Sequence, residues 1–229
     1  MLIRHTPLLL SKRIVLASAS PRRFELFQRM GLKVEVIPST FEETLDKLQY
    51  ATPGDYAAET ATHKAIEVSR RLIQLESQRN VDLIVGADTV VELDGMILEK
   101  PRDEKDAFRM LSLLSGRQHK VYTGVVILLP HATDPTLGQA PLLRSFYEET
   151  AVEFGNLDEA TITAYIATGE PMDKAGSYGI QDAGASLVKS VNGCFYNVVG
   201  FPIHRFCLEL ESLIGSGMLR ENNPAPTEL

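Results

Sequence analysis

Asp82-Leu83-Ile84-Val85-Gly86-Ala87-Asp88-Thr89-Val90-Val91 places two short apolar, β-branched runs on either side of residues that turn small and then polar. A buried strand that opens onto a carboxylate and a hydroxyl is a common way to set chemistry at the edge of an α/β sheet. The alternative is a tight turn between two strands, with Asp88 capping backbone amides. The flanking sequence decides between them.

Upstream, residues 1–12 are expected to form a loose leader, and Arg13-Ile14-Val15-Leu16-Ala17 has a short strand pattern. Ser18-Ala19-Ser20-Pro21-Arg22-Arg23 follows, with Ser20 as helix N-cap and Pro21 at the first helical position. Phe24, Phe27 and Met30 then share one helical face, and Gly31 supplies the stop. Arg22 and Arg23 sit at a helix end where the dipole disfavours cations, so the pair points to an external anion held beside free amides. Val34-Glu35-Val36-Ile37 is a second strand, leading to Glu42-Glu43, a carboxylate pair that can bind a divalent cation or simply decorate a loop. Thr52-Pro53-Gly54-Asp55 opens a long helix whose buried stripe is Ala57, Ala61, Ala65, Val68 and Leu72. Lys64 lies on or beside that stripe, where it either snorkels to water or enters a cleft.

Downstream, Asp94-Gly95 is a hairpin signal, and Lys100 ends the returning strand beside Asp88. A helix from Asp103 to Gly116, a strand from Tyr122 to Leu129, an exposed loop from Pro130 to Leu143 and an alternating strand from Arg144 to Phe154 come next. A helix capped by Asn156 or Asp158 leads to Glu170-Pro171-Met172-Asp173-Lys174-Ala175-Gly176-Ser177-Tyr178-Gly179-Ile180-Gln181, whose glycines suit close approach of backbone to a ligand or a plain turn. Pro202 begins a final helix, and from Gly215 the chain turns polar and proline-containing, as a tail or linker does.

Bulk properties exclude several classes. With 229 residues, 44% hydrophobic and 23% charged, the chain suits one large domain or two small lobes around an ample core. A net charge of −7 argues against binding nucleic-acid polymers, although a local basic cluster can still hold a small polyanion. Cys194 and Cys207 form no CxxC or zinc-like array, which fits a reducing, cytoplasmic setting. Lys12 and Arg13 interrupt the N-terminal apolar run, so it is not read as a secretory signal, and no apolar stretch is long enough to span a bilayer. No GxGxxG follows a strand, and neither cysteine has a histidine partner in a motif.

Ser18 to Arg23, Gly86 to Val91, Glu99-Lys100-Pro101, Tyr122-Thr123-Gly124-Val125, Asp173 to Gln181 and Asn197-Val198-Val199-Gly200-Phe201-Pro202 resemble, in order and spacing, the successive motifs of the Maf nucleotide pyrophosphatases. The resemblance runs from about Ile14 to Leu213, so residues 13–214 would be the Maf-like domain and 215–229 a polar tail. It implies an elongated α/β fold, with a mixed twisted sheet flanked by helices and two lobes around a deep cleft. It also implies cleavage of nucleoside triphosphates to monophosphate and pyrophosphate with a divalent metal such as Mg²⁺, Mn²⁺ or Co²⁺. Asp88 matches the active-site acid/base, and Arg22, Thr89 and Gln181 match positions tied to base choice, in the pattern of the branch acting on dTTP and UTP. Ser18, Arg23, Glu43, Lys64 and Lys100 match the remaining cleft residues, with Glu42 competing with Glu43 as metal ligand. Partners implied are the nucleotide itself, a homodimer mate and, as in a vertebrate form of the family, a methyltransferase-like domain following the Maf part.

The residue chemistry is consistent with that implication. Hydrolysis of a polyanion requires cations on the phosphoryl oxygens, which Arg22, Arg23, Lys64 and Lys100 can supply. Glu43 and Asp88 offer the hard oxygens a metal needs. Asp88 could equally be base or ligand, and Thr89 and Gln181 can hydrogen-bond a pyrimidine edge. The competing expectation is a nucleotide-binding regulator with little hydrolysis that acts through protein partners.

Overall fold

The computed structural model describes residues 2–75, 81–136, 138 and 141–219. Of the tail predicted over 215–229, residues 220–229 lie outside the described residues, as do 137, 139 and 140 of the predicted loop; Gly215 ends a helix and Leu219 is buried. The chain builds a seven-stranded mixed sheet flanked by helices. In chain order its elements are α1 (Thr6–Leu10), β1 (Ile14–Leu16), α2 (Pro21–Arg29), β2 (Val34–Val36), α3 (Pro53–Leu75), β3 (Leu83–Leu93), β4 (Met96–Leu98), α4 (Glu104–Leu114), β5 (Gln118–Leu129), β6 (Leu142–Phe154), α5 (Glu159–Ala167), β7 (Val188–Asn192), α6 (Phe195–Val199) and α7 (Ile203–Gly215).

The stretch from Leu83 to Val91 is neither a turn nor a strand pair. Leu83 to Leu93 is one continuous strand, with Gly86-Ala87-Asp88-Thr89 in its middle and paired to β5 from Ile84 to Glu92. The other edge of β3 is shared. Leu83–Val85 pairs in parallel with β1, while Val91–Leu93 pairs antiparallel with β4. Between these two partners, among the described residues, the middle of β3 has no neighbouring strand on that side, and Asp88 and Thr89 sit in the gap. This is the kind of topological break where α/β sheets place ligands.

Strand alternation then separates the two residues. Ile84 and Val90 face α3, as do Gly86 and Asp88 between them; Val85, Ala87 and Thr89 face the opposite layer of α2 and α7. The α3 interface is unusually close. A Cβ on Gly86 would lie 2.3 Å from the Ala61 carbonyl oxygen, and one on Gly124 would lie 2.2 Å from Ala57 and Ala58 backbone atoms. Small residues on both surfaces, Ala57, Ala61 and Ala65 against Gly86 and Gly124, therefore set the depth at which α3 lies. A reciprocal cap starts that helix: Thr52 N–H donates to Asp55 Oδ2 and Asp55 N–H donates to Thr52 Oγ1, each at 3.1 Å.

Two main apolar cores flank the sheet gap. One gathers Phe27, Phe201, Phe206 and Leu210; the other gathers Leu111, Phe154, Tyr165 and Tyr178. The predicted loose leader is corrected over residues 2–10, which coil into a 3-10 turn and α1. Leu2 and Leu9 reach the first core, and Arg4 pairs with Glu211 on α7. Within the apolar Leu8-Leu9-Leu10 run, Leu8 and Leu9 are buried while Leu10 is exposed. Strand β7 and helix α6 are further elements that the sequence pattern did not delimit. Among the described residues no helix is long and apolar enough to cross a membrane.

Candidate active site

A cavity of about 450 Å³ opens at the gap in β3. Its lining includes Ser18, Arg22, Arg23, Glu43, Lys64, Asp88, Thr89, Lys100 and Gln181, so every site residue expected from the sequence faces one space. A smaller chamber of about 200 Å³ adjoins it, sharing Glu43, Asp88, Thr89 and Lys100 and adding Glu99.

On the α3 side, Lys64 is drawn into the cleft rather than snorkelling. Its Nζ lies 2.7 Å from Asp88 Oδ1 and 2.7 Å from Glu43 Oε1. Asp88 is 7% exposed, and burial is the largest influence on its carboxyl, holding it above the ordinary aspartate range. The Lys64 ammonium opposes that shift, the Glu43 carboxylate reinforces it, and Arg23 opposes it more weakly. Glu43, and not Glu42, is the loop carboxylate brought to Lys64. Lys100 is exposed at the rim beyond β4. In the adjoining chamber Glu99 accepts from Tyr56 Oη at 2.7 Å and pairs with Lys47 at 2.6 Å.

On the other face, Arg23 acts as a brace. Its guanidinium donates to Gly200 O at 2.9 Å and, at 3.0 Å each, to Ser18 Oγ, Ala87 O and Thr89 Oγ1. The Ala87 carbonyl belongs to the unpartnered edge of β3, so Arg23 takes the place a neighbouring strand would fill. Thr89 Oγ1 also lies 3.0 Å from Thr123 Oγ1, which in turn donates to Asn197 O. Because the Thr123 proton is used there, Thr89 is the donor in that pair and keeps one lone pair free. Arg22 reaches across the cavity mouth to Asp173 Oδ2 at 3.0 Å. Of the two arginines read as an anion site, one therefore braces the sheet edge and the other is held by a carboxylate. Ser20 caps α2 as expected, accepting the Arg23 N–H. Gln181 is half-buried on the segment after Tyr178.

The carboxylates satisfy the donor chemistry of a divalent cation in one respect. Glu43 and Asp88 already converge on a positive charge, the Lys64 ammonium. Among the described residues no cluster of three or more His, Cys, Asp or Glu side chains surrounds a common point. Magnesium is ordinarily held by one or two carboxylates together with substrate phosphates and water, so two such ligands fit it.

The chain belongs to the Maf family: residues 13–213 match the family described as Maf-like protein. It is 54% identical over 205 residues to a Homo sapiens protein named probable bifunctional dTTP/UTP pyrophosphatase/methyltransferase protein, covering 90% of this chain and 32% of that one. It is 44% identical over 201 residues to a dTTP/UTP pyrophosphatase of Bacillus cereus, covering 87% of this chain and 89% of the relative. A dTTP/UTP pyrophosphatase of Bacillus thuringiensis is 45% identical over the same 201-residue length.

Proposed function

We propose that this chain hydrolyses dTTP, UTP and base-modified pyrimidine nucleoside triphosphates to the monophosphate and pyrophosphate. The observation that carries the reading is the Lys64 ammonium bound between Asp88 and Glu43 in a cavity whose other side presents Thr89 and Gln181. Relatives at 44% and 54% identity bear dTTP/UTP pyrophosphatase names, which supports the substrate class.

In this mechanism water attacks the α-phosphorus, the bond from that phosphorus to the bridging α–β oxygen breaks, and pyrophosphate leaves. Asp88 orients the water and takes its proton; a carboxyl lifted by burial is a better base for that task than an exposed one. Lys64 exchanges its carboxylates for phosphoryl oxygens as negative charge moves toward the leaving group. Lys100 at the rim and Arg22, once released from Asp173, supply further positive charge along the triphosphate. Glu43 and Asp88 would hold a divalent metal, which when bound neutralises phosphate oxygens. Ser18 and Arg23 keep the sheet edge and Thr89 in place, and Gln181 with the free lone pair of Thr89 reads the pyrimidine edge.

The setting expected is cytoplasmic, supported by the two free cysteines. A homodimer and a following methyltransferase-like domain belong to the same reading; the name of the human relative supports the latter. The test is a panel of canonical and base-modified triphosphates scored for pyrophosphate release with and without Mg²⁺. Metal-dependent release favouring dTTP and UTP is expected. Tight nucleotide binding without release would instead make the chain a nucleotide-binding regulator.

A further inference from the structure

Tyr165 and Glu170 do not line the cavity, yet their side chains grip the segment that carries Gln181. Tyr165 lies on α5 with its ring in the second core, and its hydroxyl donates to Glu170 Oε1 at 2.9 Å. The same hydroxyl oxygen accepts the Gly179 N–H at 3.1 Å. Glu170 accepts the Ala183 N–H on Oε2 at 3.0 Å and the Gly184 N–H on Oε1 at 3.3 Å. One phenol and one carboxylate thus hold the chain two residues before Gln181 and two and three residues after it.

The held segment has no slack. A Cβ on Gly184 would lie 2.2 Å from the Gly179 carbonyl oxygen and 2.5 Å from the Tyr165 hydroxyl. A Cβ on Gly179 would lie 2.6 Å from Lys174 Cε. Backbone N–H groups bound to a carboxylate make stronger hydrogen bonds than neutral pairs do, so Glu170 is suited to fixing a loop apex.

We propose that Glu170 and Tyr165 are positioning residues for base selection, holding Gln181 where its amide meets the pyrimidine edge. The proposal rests on the pyrimidine triphosphate reading above. A hydrogen-bonding site selects a base only while its donor and acceptor stay within about 0.5 Å of the productive position. Loosening the grip should therefore weaken recognition of the right base and rejection of the wrong one. It should spare the chemical step, since Asp88 and Lys64 ride on β3 and α3.

The experiment is steady-state pyrophosphate release from dTTP, UTP, CTP and GTP by wild type, Glu170→Gln, Tyr165→Phe, Gln181→Ala and both double variants with Gln181→Ala. Glu170→Gln presents an amide N–H₂ that cannot accept from the backbone, and Tyr165→Phe keeps the buried ring should the first variant fold poorly. Expected is a rise in KM for dTTP and UTP of about five- to twentyfold, a loss of about tenfold in preference over GTP, and kcat within about threefold of wild type. In the Gln181→Ala background the same changes should alter the ranking by less than about twofold, because the residues act through Gln181. Unchanged KM and ranking in wild-type background, even with a lowered melting temperature, would overturn the proposal. So would an undiminished effect without Gln181. Wild type that releases no pyrophosphate from any of the four would overturn the functional reading itself, a separate result.

Discussion

Asp88 is subject to opposed influences, and their balance is measurable. Burial lifts its carboxyl, while Lys64 is the foremost group pulling it back. If the ionised form takes the proton from water, the acid limb of kcat/KM, which reports the free enzyme, lies above the ordinary aspartate pKa of about 3.9. Lys64→Met removes the opposing cation, so that limb should move to higher pH as kcat falls. A pH profile whose acid limb stays in place would show that Asp88 is not the titrating base. Thr89 is constrained differently, since its hydroxyl already joins Arg23 to Thr123. Thr89→Val keeps the volume but strands two polar partners, which should cost about 1–3 kcal/mol in denaturant unfolding and raise KM for UTP. Wild-type stability in that variant would mean that the brace is dispensable.

At the scale of elements, the pairing of α3 with the sheet places Lys64. Gly86→Ala puts a methyl group into the Ala61 backbone, which can only be relieved by moving α3 outward. We expect a loss of about 1–3 kcal/mol, read from denaturant midpoints, together with reduced kcat as Lys64 leaves Asp88. Unaltered stability and rate would contradict this account of the interface. The same glycine explains why a turn was the alternative reading. Gly86-Ala87-Asp88-Thr89 looks like a turn because small and polar residues usually mark one, but here smallness admits a helix and polarity serves a cleft. The alternation of β6, the capped start of α3 and the Asp94-Gly95 hairpin were legible because local periodicity and caps fix them. Lys64 was legible as a candidate from its place on the buried stripe. The roles of Arg23 and Arg22 were not, because their partners, Ala87, Gly200 and Asp173, lie 64, 177 and 151 positions away.

Across the whole molecule, the two cores meet around the cavity, and the segment from Lys174 to Gln181 is shared between them: Tyr178 packs in one, Ile180 in the other. His119 anchors that junction from β5, its Nε2 lying 2.8 Å from Tyr178 Oη. Burial pushes the imidazole down to about 4. The unfolded chain binds this proton near pH 6.5 while the folded chain refuses it until about 4, so stability should fall as pH drops across that window and level off below it. The loss from this group is at most roughly 3 kcal/mol. His119→Gln should flatten the slope of unfolding free energy between those limits; an unchanged slope would show that His119 is not its source.

If the carboxylate in the β3 gap performs the chemistry, Asp88→Asn removes the group that takes the proton from water. Pyrophosphate release from dTTP and UTP with Mg²⁺ should be measured in folded variant and wild type, alongside direct nucleotide binding. Binding should survive while kcat falls by about 10²- to 10⁴-fold. Turnover near that of the wild type would contradict it.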